Sequence, residues 1–131
     1  MTSAKQPTVR IYPYVENPLD AYMAADLVIA RAGASTLAEL AVLGKPALLI
    51  PYPFATADHQ RRNAEAVVAT GAAAMLLDAQ LAQGELLGSL DALLTPHRLH
   101  ALSSAAQNGM ARDAGMAILD RVHQYISEQG G

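Results

Sequence analysis

At 131 residues, with 52% hydrophobic and 16% charged side chains, the chain has the composition of one well-buried globular domain rather than of a disordered segment. A net charge of -3 and no basic run longer than Arg61-Arg62 argue against a nucleic-acid partner, because phosphate binding needs clustered Lys and Arg. With no cysteine, disulfides, thiolate metal sites and cysteine nucleophiles are excluded.

The N-terminus, MTSAKQPTVR, has no apolar core segment and does not read as a signal peptide. Val9 to Val15 reads as a short strand ending near Pro13. A short helix follows in NPLDAYMAA, with Asn17 as its N-cap and Pro18 at its first position. DLVIA is a continuous apolar run, as expected of a strand buried on both faces. TLAELAVL gives a helix closed by Gly44, and PALLIPYP the next buried strand. Asp58 to Thr70 gives a third helix, N-capped by Asp58 and ended at Gly71. AAAMLLD is the last strand by position, and from Leu81 the pattern is helical, broken near Thr95-Pro96 and Gly109.

The expected order is β-α-β-α-β-α-β followed by helices, which implies an α/β fold: a Rossmann-like parallel sheet with helices on both faces. Expected boundaries are a flexible N-terminus at 1–8, one domain over 9–127 and a short flexible tail at 128–131. The longest apolar stretch, Leu37 to Ala57, is interrupted by Glu39, Lys45 and three prolines and cannot span a bilayer. Ligands of such folds bind at the carboxyl ends of the strands, beside the helix starts.

Two phrases fall there. In ARAGASTLAE, Gly33 and its small neighbours permit a tight turn into a helix expected to begin near Thr36. Unpaired N–H groups at that start favour an anion such as a phosphate. Glu39 could then accept hydrogen bonds from the vicinal hydroxyls of a ribose. Equally, Thr36 and Glu39 have the spacing of a capping box, in which both side chains serve the helix's own N–H groups. In DHQRRNAEA, His59, Gln60 and Asn63 share a helix face of uncharged donors and acceptors that suits sugar hydroxyls. The plainer reading is a solvated face with Arg61 and Glu65 as an i,i+4 ion pair.

No cofactor or resident metal is expected. His97 and His100 lack a third ligand nearby, and both read as surface residues. The Asp-x-Asp pair, the nucleophile elbow, the Walker pattern and the Gly-x-Gly-x-x-Gly fingerprint are all missing.

The stretches ADLVIARAGASTLAELAVLGKPALLIPYP and DHQRRNAEAVVATGAA together resemble the C-terminal, donor-binding part of the MurG family of GT-B glycosyltransferases, over about Val9 to Val122. The resemblance implies an inverting hexosyltransferase that moves GlcNAc from UDP-GlcNAc to lipid I, forming lipid II for peptidoglycan. By resemblance, Glu39 binds the ribose, the backbone of Ala34, Ser35 and Thr36 faces the diphosphate, and Val15 contacts uracil. Gln60 reaches the GlcNAc hydroxyls with His59 and Asn63 beside it, and Arg31 lies close to the nucleotide.

The family's N-terminal domain, with its acceptor site and the histidine proposed as general base, has no counterpart in these residues. Nor has the glycine loop at the start of the family's C-terminal domain. No catalytic residue is therefore expected in this chain, and the chain alone should be inactive. Its partners would be UDP-GlcNAc and an acceptor-binding domain or separate chain, which would bring lipid I. Its location would be cytoplasmic, peripheral on the inner membrane through that domain. The alternatives are a donor subunit of a split two-chain transferase and a non-catalytic sugar-nucleotide module. An unpaired first strand, Val9 to Val15, would further favour a homodimer.

Overall fold

The computed structural model describes residues 8–54 and 59–130. Residues 8–17 lead without regular structure into α1 (Pro18–Ala24), followed by β1 (Val28–Ala30), α2 (Ala34–Leu43) and β2 (Ala47–Leu49). Then come α3 (His59–Ala69), β3 (Ala73–Met75), α4 (Asp78–Ala82), α5 (Leu86–Leu93), α6 (Pro96–Ala106) and α7 (Gly109–Gly130). The three strands form a parallel sheet in the order β1-β2-β3, with Val28 opposite Ala47 and Ala47 opposite Ala73. The α/β architecture with flanking helices is the expected one.

The central strand shows why its sequence is apolar throughout. Ala47 and Leu49 join Val28, Leu37, Leu40, Ala64 and Ile118 on the face covered by α2, α3 and α7. Leu48 and Ile50 turn the other way, against Leu76, Leu93 and Leu102. Alternate side chains of one strand thus anchor two cores, and burying each leucine is worth about 1.5–3 kcal/mol. On the first face α7 lies against α2 at Gly115, where an added Cβ would sit 2.5 Å from the Ala41 Cβ and 3.1 Å from the Leu37 carbonyl. Gly44 ends α2 in the left-handed region, at φ 66°.

Three expectations need correcting. The strand at Val9 to Val15 is absent, and Val9, Ile11 and Tyr14 are 74%, 89% and 77% exposed. Strand propensity cannot hold an extended segment without a ladder partner, and no described strand lies beside this one. Among the described strands β1 is therefore an edge of the sheet, as β3 is on the other side. Helix α2 begins at Ala34, not near Thr36, so Gly33 is the N-cap and no side chain caps the helix. The Thr36–Glu39 capping box does not form. Asn17 does precede α1, but its side chain makes no capping hydrogen bond.

The breaks at Thr95-Pro96 and Gly109 fall as expected, with the Thr95 hydroxyl accepting from the Arg98 N–H at 3.3 Å. The expected cap Asp58 and nearly all of the expected N-terminal segment lie outside the described residues, while α7 continues to Gly130.

Candidate functional site

All three strands point their carboxyl ends at one edge of the domain, and the turns leaving them gather the polar groups singled out above. After β1 the chain passes Arg31, buried Ala32 and Gly33 before entering α2. The Leu37 N–H bonds to the Gly33 carbonyl at 3.0 Å. The N–H groups of Ala34, Ser35 and Thr36 precede that first helical bond and have no partner among the described residues. No side chain caps this helix start, and the positive end of its dipole is left open. Glu39 is half-buried in the second turn of α2, one turn on from Ser35 and Thr36. Its carboxylate takes part in no hydrogen bond or ion pair among the described residues. Freed of a capping role, it is available to a ligand.

The start of α3 is held against this turn. The Gln60 Oε1 accepts the N–H of Ala32 at 3.2 Å and the N–H of Tyr52 at 2.9 Å. One side-chain carbonyl thereby joins α3 to the exits of β1 and β2. His59 is exposed and Asn63 half-buried on the same helix. Arg61 and Glu65 do pair, at 3.1 Å, both half-exposed.

Arg31 makes a second set of ties. Its Nη1 lies 2.7 Å from the Asp78 carboxylate, and 3.4 Å from each of the Ile50 and Pro51 carbonyls. Its guanidinium carbon stands 5.5 Å from the centre of the Tyr52 ring, which meets Phe54 edge-on at 5.8 Å. Val15 lies in the irregular segment ahead of α1 and is 42% exposed, and no hydrogen bond ties it to this group.

Arg31, Ala34, Ser35, Thr36, Glu39, His59, Gln60 and Asn63 thus fall on the turns and helix starts at one edge of the sheet. Asp78 and Tyr52 were not anticipated. Asp78 had a usable signal, since a carboxylate just past an apolar strand stands at the ligand edge of a parallel sheet. Tyr52 had none beyond its place after Pro51. At the opposite edge, a polar basin of about 390 Å³ opens between Asp26, Lys45 and His100. Lys45 caps the end of α1 there, donating to the Met23 and Ala25 carbonyls at 2.9 and 3.0 Å.

Comparison with known proteins identifies the family of the chain. Residues 1–117 match the family model described as glycosyltransferase family 28 C-terminal domain. The chain is 48% identical over 115 residues to the UDP-N-acetylglucosamine--N-acetylmuramyl-(pentapeptide) pyrophosphoryl-undecaprenol N-acetylglucosamine transferase of Chlorobium limicola, covering 87% of this chain and 32% of that protein. It is 52% identical over 113 residues to the protein of the same name from Chlorobaculum parvum, covering 86% and 31%. Its fold matches the crystal structure of Acinetobacter baumannii MurG with a TM-score of 0.69 at 30% identity, over 89% of this chain and 34% of that one. The chain spans about a third of the length of the relatives it matches. By the family model and by its identity to these proteins, the chain belongs to the glycosyltransferase family 28 C-terminal domain family.

Proposed function

We propose that this chain forms the UDP-GlcNAc-binding part of a MurG-type inverting transferase, one that moves GlcNAc to lipid I to give lipid II. The observation that carries the reading is the unpartnered Glu39 carboxylate on α2, one turn beyond the open N–H groups of Ala34, Ser35 and Thr36. A diphosphate at that helix start meets the dipole and three free donors, and a ribose beside it gives the carboxylate two hydroxyls to accept from. The names of the relatives supply the sugar and the acceptor class. His59, Gln60 and Asn63 on α3 would face the sugar, Val15 the base, and Arg31 would border the nucleotide.

Transfer needs a general base on the acceptor hydroxyl, and we assign none to the described residues, so the chain alone should bind the donor without turning it over. Among the described residues no helix is long and apolar enough to cross a membrane. Contact with the cytoplasmic face of the inner membrane would come through the acceptor-binding part. The unpaired edge of β1 is a pairing template, and a second copy of the chain is the occupant we expect for it.

Calorimetric titration with UDP and UDP-GlcNAc tests the reading. Saturable binding of both, tighter for the sugar nucleotide, is the expected result. No heat from either ligand at millimolar concentration would refute it.

A further inference from the structure

The double hydrogen bond made by Gln60 assigns that residue a task separate from touching sugar. Its Oε1 receives two backbone N–H groups, from Ala32 and from Tyr52. Reversing the amide would aim its NH2 group at two donors, so the partners themselves fix which end is the carbonyl. The two amides belong to different turns, 28 and 8 residues away in sequence. Ala32 is fully buried and immediately precedes Gly33, the N-cap of α2. Tyr52 follows β2 and lies under the Arg31 guanidinium.

From this geometry we infer that Gln60 is a positioning residue, whose carbonyl clasps the β1–α2 turn to the β2 exit and so presets the anion-binding start of α2. The inference rests on the donor-site reading for its consequence, though not for the clasp itself. It changes what Gln60 can offer a sugar. Both acceptor positions of Oε1 are taken, leaving only Nε2, a donor, free to reach a hydroxyl. Loss of the side chain should then harm UDP binding as well as GlcNAc recognition, because the turn that meets the diphosphate loses its anchor.

Two variants of the 131-residue chain separate these roles. Gln60→Met keeps the length and removes the strong acceptor. Gln60→Glu keeps an acceptor for both N–H groups and removes the donor. The first readout is amide hydrogen exchange at Ala32 and Tyr52, followed by NMR without ligand. Wild type should protect both amides, Gln60→Met should speed their exchange by about five- to tenfold, the scale of one net hydrogen bond, and Gln60→Glu should restore protection. The second readout is titration. UDP affinity should fall several-fold in Gln60→Met, whereas Gln60→Glu should chiefly lose the preference for UDP-GlcNAc over UDP.

Unchanged exchange in Gln60→Met would remove the clasp. Faster exchange with unaltered UDP affinity would sink the positioning role. A wild type that protects both amides yet binds no UDP would count against the donor-site reading alone and leave the clasp standing.

Discussion

The Arg31 guanidinium and the Asp78 carboxylate meet at 2.7 Å, and this pair ties the end of β1 to the start of the helix after β3, across the end of the central strand. The two side chains are 48% and 34% exposed, so water and salt screen the pair. Its stabilising effect should therefore be small, while its effect on the spacing of the three strand ends is direct. Asp78→Ala should lower stability by less than about 1 kcal/mol, and less still at high ionic strength. Arg31→Ala should cost more, roughly 1–3 kcal/mol, because the Ile50 and Pro51 carbonyls and the Tyr52 ring lose their partner as well. Urea denaturation of both variants at low and high salt checks this. Equal costs would mean that the carbonyl and ring contacts contribute nothing.

Glu39→Ala makes two opposite demands on the same variant. With Gly33 at the N-cap and no capping box, the glutamate does nothing for the start of α2, so thermal stability should change little. Removing a charged acceptor from the ribose hydroxyls should cost about 1.5–3 kcal/mol of UDP affinity, roughly a ten- to hundredfold weakening. A variant that melted early and bound UDP normally would restore the capping role and end the ribose one.

Much of this architecture was legible because apolar runs bounded by Gly and Pro leave few options. PALLIPYP folds as the buried strand it reads as, whereas DLVIA forms a strand at the sheet edge, with Ile29 46% exposed rather than buried on both faces. Gly44 and Gly71, at φ 66° and 87°, stop their helices where a left-handed residue is needed. VRIYPYV misled because β-propensity measures fit to a pleated, half-buried surface, and here there is no such surface to fit. A start near Thr36 lies two residues late for α2, because Thr36 is the better capping side chain. Ala34 and Ser35 accept helical geometry readily, and Gly33 caps adequately without a side chain. The clasp by Gln60 was out of reach of any spacing rule, since its two partners are backbone groups brought near only by the finished sheet.

Gly115 and Gly88 form a matched pair of helical glycines with opposite expectations. A Cβ at Gly115 would run into the Ala41 Cβ and the Leu37 carbonyl, and a backbone oxygen cannot step aside. Gly115→Ala should therefore force α7 away from α2. The overpacking cost of about 1–3 kcal/mol should exceed the gain of up to about 1 kcal/mol in helix propensity. Nothing lies within 4 Å of a Cβ at Gly88, in α5, so Gly88→Ala should be neutral or stabilising by about 0.5–1 kcal/mol. Melting curves of the two variants, measured side by side, decide the matter. A more stable Gly115→Ala protein would show that the two helices do not approach so closely.

Self-association is the last expectation, and the structure moves its origin from the N-terminal segment to β1. The ladder to β2 uses the N–H and C=O groups of Val28 and Ala30, so those of Ile29 face outward from the sheet. The Ile29 side chain is 46% exposed, and Val9, Ile11, Tyr12 and Tyr14 in the segment preceding α1 are exposed too. An open strand end of this kind pairs readily with another chain unless charge or proline blocks it, and Val28 to Ala30 contains neither. The strand is only three residues long, which limits what pairing can gain. The dimer should therefore be weak and concentration-dependent, forming at tens of micromolar and above. Light scattering across a concentration series gives the test, with Ile29→Lys as the control that places a charge on the edge strand. A monomeric wild type throughout that range, or a dimer indifferent to Ile29→Lys, would show that β1 is not the contact.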